Sequence, residues 1–134
     1  MHHALAHSLT QYTKSVLIGT DCPIMDRNYV VQAFDTLNQD NKNQKNIVFG
    51  PATDGGYVLV GVNKIGLETI GPEKINSGPF NKVDWSTSRV LEQSVQHCRA
   101  ADYTVHLLDT LWDIDTPEDY IKYQQHLSPP HAKP

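Results

Sequence analysis

The sequence lacks any apolar run near the roughly 18 residues that a membrane-spanning helix needs, which argues against a transmembrane segment. The histidine-bearing stretch before Lys14 has no apolar signal core, so it reads as a helix rather than a secretory peptide. Only two cysteines occur, Cys22 and Cys98, too few for a disulfide framework. Reduced thiols in a cytoplasmic protein are the expectation. Basic residues are also short, with 11 Lys and Arg against 15 Asp and Glu for a net charge of -4. A nucleic-acid binder needs the opposite balance to neutralise phosphates. There is no Walker-type glycine loop, no Gly-x-Ser-x-Gly elbow and no Cys-x-x-Cys pair. Of the scattered histidines only His3 and His7 share a helical spacing, and neither has an acidic or cysteine neighbour to complete a metal site.

What remains is a chain of 134 residues, 39% hydrophobic and 19% charged, enough for one soluble domain with a real core. Residues 1–127 are expected to form that domain and residues 128–134, with three prolines, a flexible tail. Leu5, Leu9 and Tyr12 recur at helical spacing, predicting a helix over about residues 2–13. Residues 15–20, with Val16-Leu17-Ile18 stopped by Gly19, predict a strand buried on both faces. Asp26-Arg27-Asn28 opens a helix with an apolar stripe of Val30, Ala33, Phe34 and Leu37. Residues 38–46 read as a loop too polar to pack. Two strands follow, at 47–49 and 57–62, and then a long loop over 64–84. A helix over 87–100, a strand over 105–108 and a last helix from Thr116 complete the alternation. Alternating strands and helices predict an α/β fold: a mixed, mostly parallel sheet flanked by helices. In such sheets ligands collect beyond the carboxyl ends of the strands.

Four segments carry candidate chemistry. In Gly19-Thr20-Asp21-Cys22-Pro23 a strand ends in glycine and presents a carboxylate, which suits Mg2+ or Mn2+ held together with substrate phosphates. The structural alternative is that Asp21 caps the turn before the next helix. Gly50-Pro51-Ala52-Thr53-Asp54-Gly55-Gly56-Tyr57 reads either as an ordinary turn or as a site. In the second case Asp54 meets substrate, the glycines clear space and Tyr57 supplies an aromatic surface. In Asp84-Trp85-Ser86-Thr87, Ser86 or Thr87 is a candidate N-cap, and Trp85 either anchors the core or holds a sugar or base. In Trp112-Asp113-Ile114-Asp115-Thr116-Pro117-Glu118-Asp119, Thr116, Pro117, Glu118 and Asp119 build a helix start. Capping does not need Asp113 and Asp115, so either can be a second carboxylate beside Asp21.

Taken in order, these segments resemble the small bacterial glycosyltransferase-like proteins associated with arsenosugar and selenium-related gene clusters. That family has the glycosyltransferase-A, or nucleotide-diphospho-sugar transferase, fold, and the match runs over about residues 1–125. The resemblance implies a partial glycosyltransferase-A fold and sugar transfer from a nucleotide-diphospho-sugar to a small-molecule acceptor, assisted by Mg2+ or Mn2+. It implies Asp21 and Asp115 as cation ligands and Asp54 and Asp113 as catalytic carboxylates. Gly19, Thr20, Gly55, Gly56, Tyr57, Trp85, Ser86 and Thr87 would line the donor and acceptor. Such a cation would help neutralise the departing nucleotide diphosphate.

Members of the family open with a strand and a basic glycine-containing loop for the nucleotide phosphates, followed by a further helix and strand, and this sequence starts only at the helix preceding the Asp21 strand. The expectation is therefore a truncated, C-terminal-type domain, impaired alone or completed by a partner chain. Removing leading strands exposes a sheet edge, which predicts a homodimer or higher homo-oligomer. A non-catalytic binding module is the alternative from another class, and a nucleotidyltransferase of similar fold the closest enzymatic one.

Overall fold

The structure is a computed structural model that describes residues 7, 12–38, 45–63, 88–112, 114 and 116–127. Its elements are β1 (Lys14–Ile18), α1 (Arg27–Asn38), β2 (Asn46–Pro51), β3 (Tyr57–Asn63), α2 (Val90–Ala100), β4 (Thr104–Leu107) and α3 (Pro117–Leu127). His7 is helical and Tyr12 is not; the rest of the helix expected over 2–13 lies outside the described residues, as do the 64–84 loop and the 128–134 tail. Among the described residues no helix is long and apolar enough to cross a membrane.

The strands form one sheet in the order β1-β3-β2-β4. β3 is antiparallel to both β1 and β2, and β2 is parallel to β4. The sheet is therefore mixed, and not mostly parallel as the alternation of elements predicts. The reason is the link over residues 52–56, far shorter than the dozen or more residues a parallel crossover requires. β3 must fold straight back on β2, and it comes to lie between β2 and β1. Two reversals cancel, so β1, β2 and β4 still run in one direction. Their carboxyl ends share one edge of the sheet, where the candidate loops leave it.

β2 and β3 are the core strands, with β2 buried along its whole length. On one face Tyr29, Ala33 and Leu37 of α1 pack on Val48 and Leu59, with Val16 alongside. This row differs from the expected stripe, because Tyr29 is buried while Phe34 is exposed. Positions 29, 33 and 37 are successive i, i+4 neighbours, and small Ala33 at their centre lets the helix approach the strands. Asp26 caps α1, its Oδ1 accepting the Tyr29 N–H at 2.9 Å.

On the other face Ile47, Phe49, Val60 and Val62 form a cluster with Cys98 of α2 and with Tyr103, and Leu91 and Val95 pack against it. α2 begins at Val90 with Arg89 in the cap position, not Ser86 or Thr87, and no side chain caps it. The Leu91 N–H instead donates to the Gly55 carbonyl at 2.9 Å. A neighbouring turn thus satisfies a donor that a capping hydroxyl would otherwise take.

Two further expectations change. β1 is an edge strand among the described residues rather than one buried on both faces, and its Ile18 is 49% exposed. The polar tract before β2 ends in packed residues: Asn46 is buried, and the Lys45 Nζ donates to the Ala101 carbonyl at 2.6 Å. Polar groups can be buried there because they have partners.

Candidate functional site

The loop after β1 starts with the Gly19 N–H bonded to the Val58 carbonyl at 2.9 Å, which extends the β1–β3 ladder by one residue. The chain then bends, and Gly19, Thr20 and Asp21 are all exposed. A Cβ on Gly19 would sit 3.2 Å from Oδ1 of Asp21, so the carboxylate folds back over the glycine. Among the described residues nothing hydrogen-bonds that carboxylate. Asp21 does not cap α1, because Asp26 already does. Cys22 to Met25 form a turn closed by the Met25 N–H on the Cys22 carbonyl at 3.1 Å, with Pro23 at the second position that favours proline.

The connector between β4 and α3 lies against this loop. Beyond β4 the parallel pairing continues: Leu108 N–H donates to the Phe49 carbonyl at 3.0 Å and Leu111 N–H to the Pro51 carbonyl at 2.8 Å. Three bonds then join the connector to the β1–α1 region. The Tyr29 phenol donates to the Asp109 carbonyl at 2.7 Å. The Cys22 thiol donates to the Trp112 carbonyl at 3.4 Å. The Ile114 N–H donates to the Asp21 carbonyl at 2.9 Å. Burial pushes the Tyr29 phenol up to about 12, with smaller contributions from Cys22 and Asp109, so it is a protonated donor at neutral pH. The connector ends in a reciprocal cap. Thr116 N–H donates to Oδ2 of Asp119 and Asp119 N–H to Oγ1 of Thr116, both at 3.2 Å. On the outer side Lys122 Nζ lies 4.4 Å from the centre of the Trp112 ring.

The turn after β2 is built differently. Gly55 N–H donates to the Ala52 carbonyl at 3.1 Å and Ala52 N–H to the Gly56 carbonyl at 2.9 Å. Asp54 is exposed, and its Oδ1 accepts the Gly56 N–H at 3.0 Å. That is the aspartate-turn geometry of the structural reading. Gly55 has φ +92, and a Cβ there would run into the Ser88 carbonyl. The space at Gly55 is therefore taken by the start of α2. Tyr57 is half-buried, its ring 4.8 Å from that of Phe49, and burial pushes its phenol up to about 12, the Ser94 hydroxyl pulling the other way. The structure gives this ring a packing role beneath the turn.

Of the residues singled out from the sequence, Gly19, Thr20, Asp21, Asp54, Gly55, Gly56 and Tyr57 all fall at the shared strand edge. Trp85, Ser86, Thr87, Asp113 and Asp115 lie outside the described residues. Ile114, which stands between the last two in sequence, is placed on Asp21. Among the described residues no three His, Cys, Asp or Glu side chains converge as a metal site. Neither cysteine is in a disulfide and both are buried, and burial alone pushes the Cys98 thiol up to about 12, which makes it inert. Sequence reasoning missed Tyr29 and gave Trp112 no role. The spacing of Tyr29, Ala33 and Leu37 was the available signal for the first.

The fold is a mixed sheet with helices on both faces and acidic loops at one strand edge. It is similar over 99% of this chain, with TM-score 0.76 and 25% identity, to a solved protein from Desulfovibrio desulfuricans G20 described as a "putative nucleotide-diphospho-sugar transferase". The match covers 53% of that protein, so this chain spans about half its length. No curated protein matches the chain. Residues 1–87 match the model of a family described as "Uncharacterized protein conserved in bacteria (DUF2064)", and the chain belongs to that family.

Proposed function

We propose that this chain forms part of a transferase that moves a sugar from a nucleotide-diphospho-sugar to a small-molecule acceptor with the help of Mg2+ or Mn2+. One observation carries the reading: the Ile114 N–H bonded to the Asp21 carbonyl. It joins the acidic loop after β1 to the Asp-x-Asp segment near the end of the chain. An exposed carboxylate beside a second acidic segment is the donor chemistry that hard divalent cations take, with substrate phosphates filling the remaining positions. In this reading Asp21 and Asp115 hold the cation, and Asp54 and Asp113 act on the sugar or acceptor. Gly19, Thr20, Gly56, Trp85, Ser86 and Thr87 line the substrate in the same reading, whereas Gly55 and Tyr57 serve the turn and its packing. The bound cation would supply charge neutralisation for the departing diphosphate. The finer resemblance to arsenosugar- and selenium-associated transferases belongs to the same proposal.

The likeness in fold to the Desulfovibrio desulfuricans G20 protein, at 25% identity, supports the transferase class. Calorimetric titration with a panel of nucleotide sugars, with and without Mn2+, tests the reading. Cation-dependent binding that disappears in Asp21→Ala is expected. Absence of binding to every donor would favour a non-catalytic module instead.

The same reading has the chain work as a homodimer or higher homo-oligomer. Ser15 and Leu17 face β3 with their backbone bonds, so by alternation those of Lys14, Val16 and Ile18 point away from the sheet. That is a template for another strand, and we assign it to a second copy. A monomer mass by light scattering at high concentration would remove this part.

A further inference from the structure

We propose that Tyr29 is a positioning residue for this site, latching the connector after β4 onto the start of α1, next to the loop after β1, and so fixing the surroundings of Asp21. The inference rests on the reading of Asp21 as the cation-binding carboxylate, and it adds a residue that no sequence motif marks.

Three rungs tie the two segments together. Residues 29, 22 and 21 bond in turn to residues 109, 112 and 114. Two of the rungs are weak or local: a thiol donor at 3.4 Å, and one backbone bond at an exposed residue. The Tyr29 rung is the short one, at 2.7 Å, and it comes from a side chain anchored among Ala33, Leu37, Val48 and Leu59. A latch must be rigid at one end to position the other. Tyr29 meets this condition, because its backbone is held by the Asp26 cap and its ring by the core.

The phenol reaches Asp109 only because β2 carries glycine at position 50. A Cβ on Gly50 would lie 2.6 Å from the Tyr29 hydroxyl and 3.0 Å from its ring. Gly50 thus has a reason that differs from turn formation: it leaves room for the latch. The Phe49-Gly50-Pro51 segment and Tyr29 form one device, although they lie in separate elements. A side chain that only filled space would need no hydroxyl at this point. Here the hydroxyl is the atom closest to Gly50 and the atom that bonds the connector.

The test uses the full chain and two readouts. Amide hydrogen exchange at Ile114 reports the latch without any ligand, and water-proton relaxation with Mn2+ alone reports the site. Tyr29→Phe keeps the ring and removes the donor. It is expected to speed Ile114 exchange about fivefold, the worth of one ordinary hydrogen bond. It is also expected to weaken Mn2+ binding about tenfold, as loss of an outer partner of a metal ligand does. Gly50→Ala should give the same pattern, and its effect should shrink in the Tyr29→Phe background, because the hydroxyl it collides with is gone. Unchanged Ile114 exchange in Tyr29→Phe, or strict additivity of the two substitutions, would overturn the latch. If the wild-type chain binds no Mn2+, the reading of Asp21 fails, and the exchange and additivity results still decide the latch on their own.

Discussion

The loops after β1 and β2 share a Thr-Asp pair, Thr20-Asp21 in one and Thr53-Asp54 in the other, and leave the same edge of the sheet. They use the carboxylate in opposite ways. Asp54 bonds the Gly56 N–H and so closes a hairpin. Among the described residues the Asp21 carboxylate bonds nothing, and the main chain of its loop does the holding, through Gly19 to Val58 and Asp21 to Ile114. A carboxylate fixed by its own turn keeps only part of its acceptor capacity for a ligand: Oδ1 of Asp54 is engaged, and Oδ2 is left. A carboxylate left over by its loop can serve a ligand at no structural expense. The difference argues for Asp21 as the first residue to test and sets a harder standard for Asp54.

Alkaline pH should have the largest effect and should reach both regions. The Cys98 thiol is raised from 9.0 to about 12, and the Tyr29 and Tyr57 phenols from 10.0 to about 12. For groups raised on folding, the associated stability is fully present below the unfolded value and is lost as pH climbs through the folded one. Stability followed by circular dichroism should therefore hold up to about pH 9 and fall steadily toward pH 12. Tyr29→Phe should flatten part of that fall, and Cys98→Ala another part.

Gly55→Ala comes next, because it combines a positive φ with a collision against the Ser88 main chain. It should destabilise by about 3 kcal/mol in chemical denaturation. Asp21→Asn separates the two carboxylates by function. Mn2+ affinity should fall tenfold or more, while the denaturation midpoint barely moves, as for an exposed side chain without partners. Asp54→Ala should do the reverse, costing about 1 kcal/mol of stability for the lost turn bond. If Asp54→Ala also abolished donor binding, the two loops would be functional equals and the contrast would fall. The smallest effect serves as a control outside both loops. Asp102 sits at φ 66 just after α2, so Asp102→Gly should stabilise by about 0.5 kcal/mol and leave Mn2+ binding alone.

Much of the local structure was legible because its causes are local. The glycine stop after Ile18, the capping side chain of Asp26 and the Thr116-Pro117 helix start depend on neighbours within a few residues, and each appears where the spacing places it. The start of α2 was not legible, because its cap comes from Gly55 on another element. Parallel pairing was overestimated for a related reason. Alternation fixes the kinds of element, but a five-residue link decides the direction of the next strand.

The sequence by itself determined most of the described helices and strands and the acidic strand ends, since periodicity, caps and turn residues act over short distances. Only the tertiary structure decided that β3 inserts between β1 and β2, that β1, β2 and β4 share one carboxyl edge, and that Ile114 lies on Asp21. Those outcomes depend on which strands pair and which carbonyl meets which N–H across the sheet. Nothing within a window of a few residues encodes such a meeting; it follows from packing α1 and α2 on opposite faces of β2 and β3.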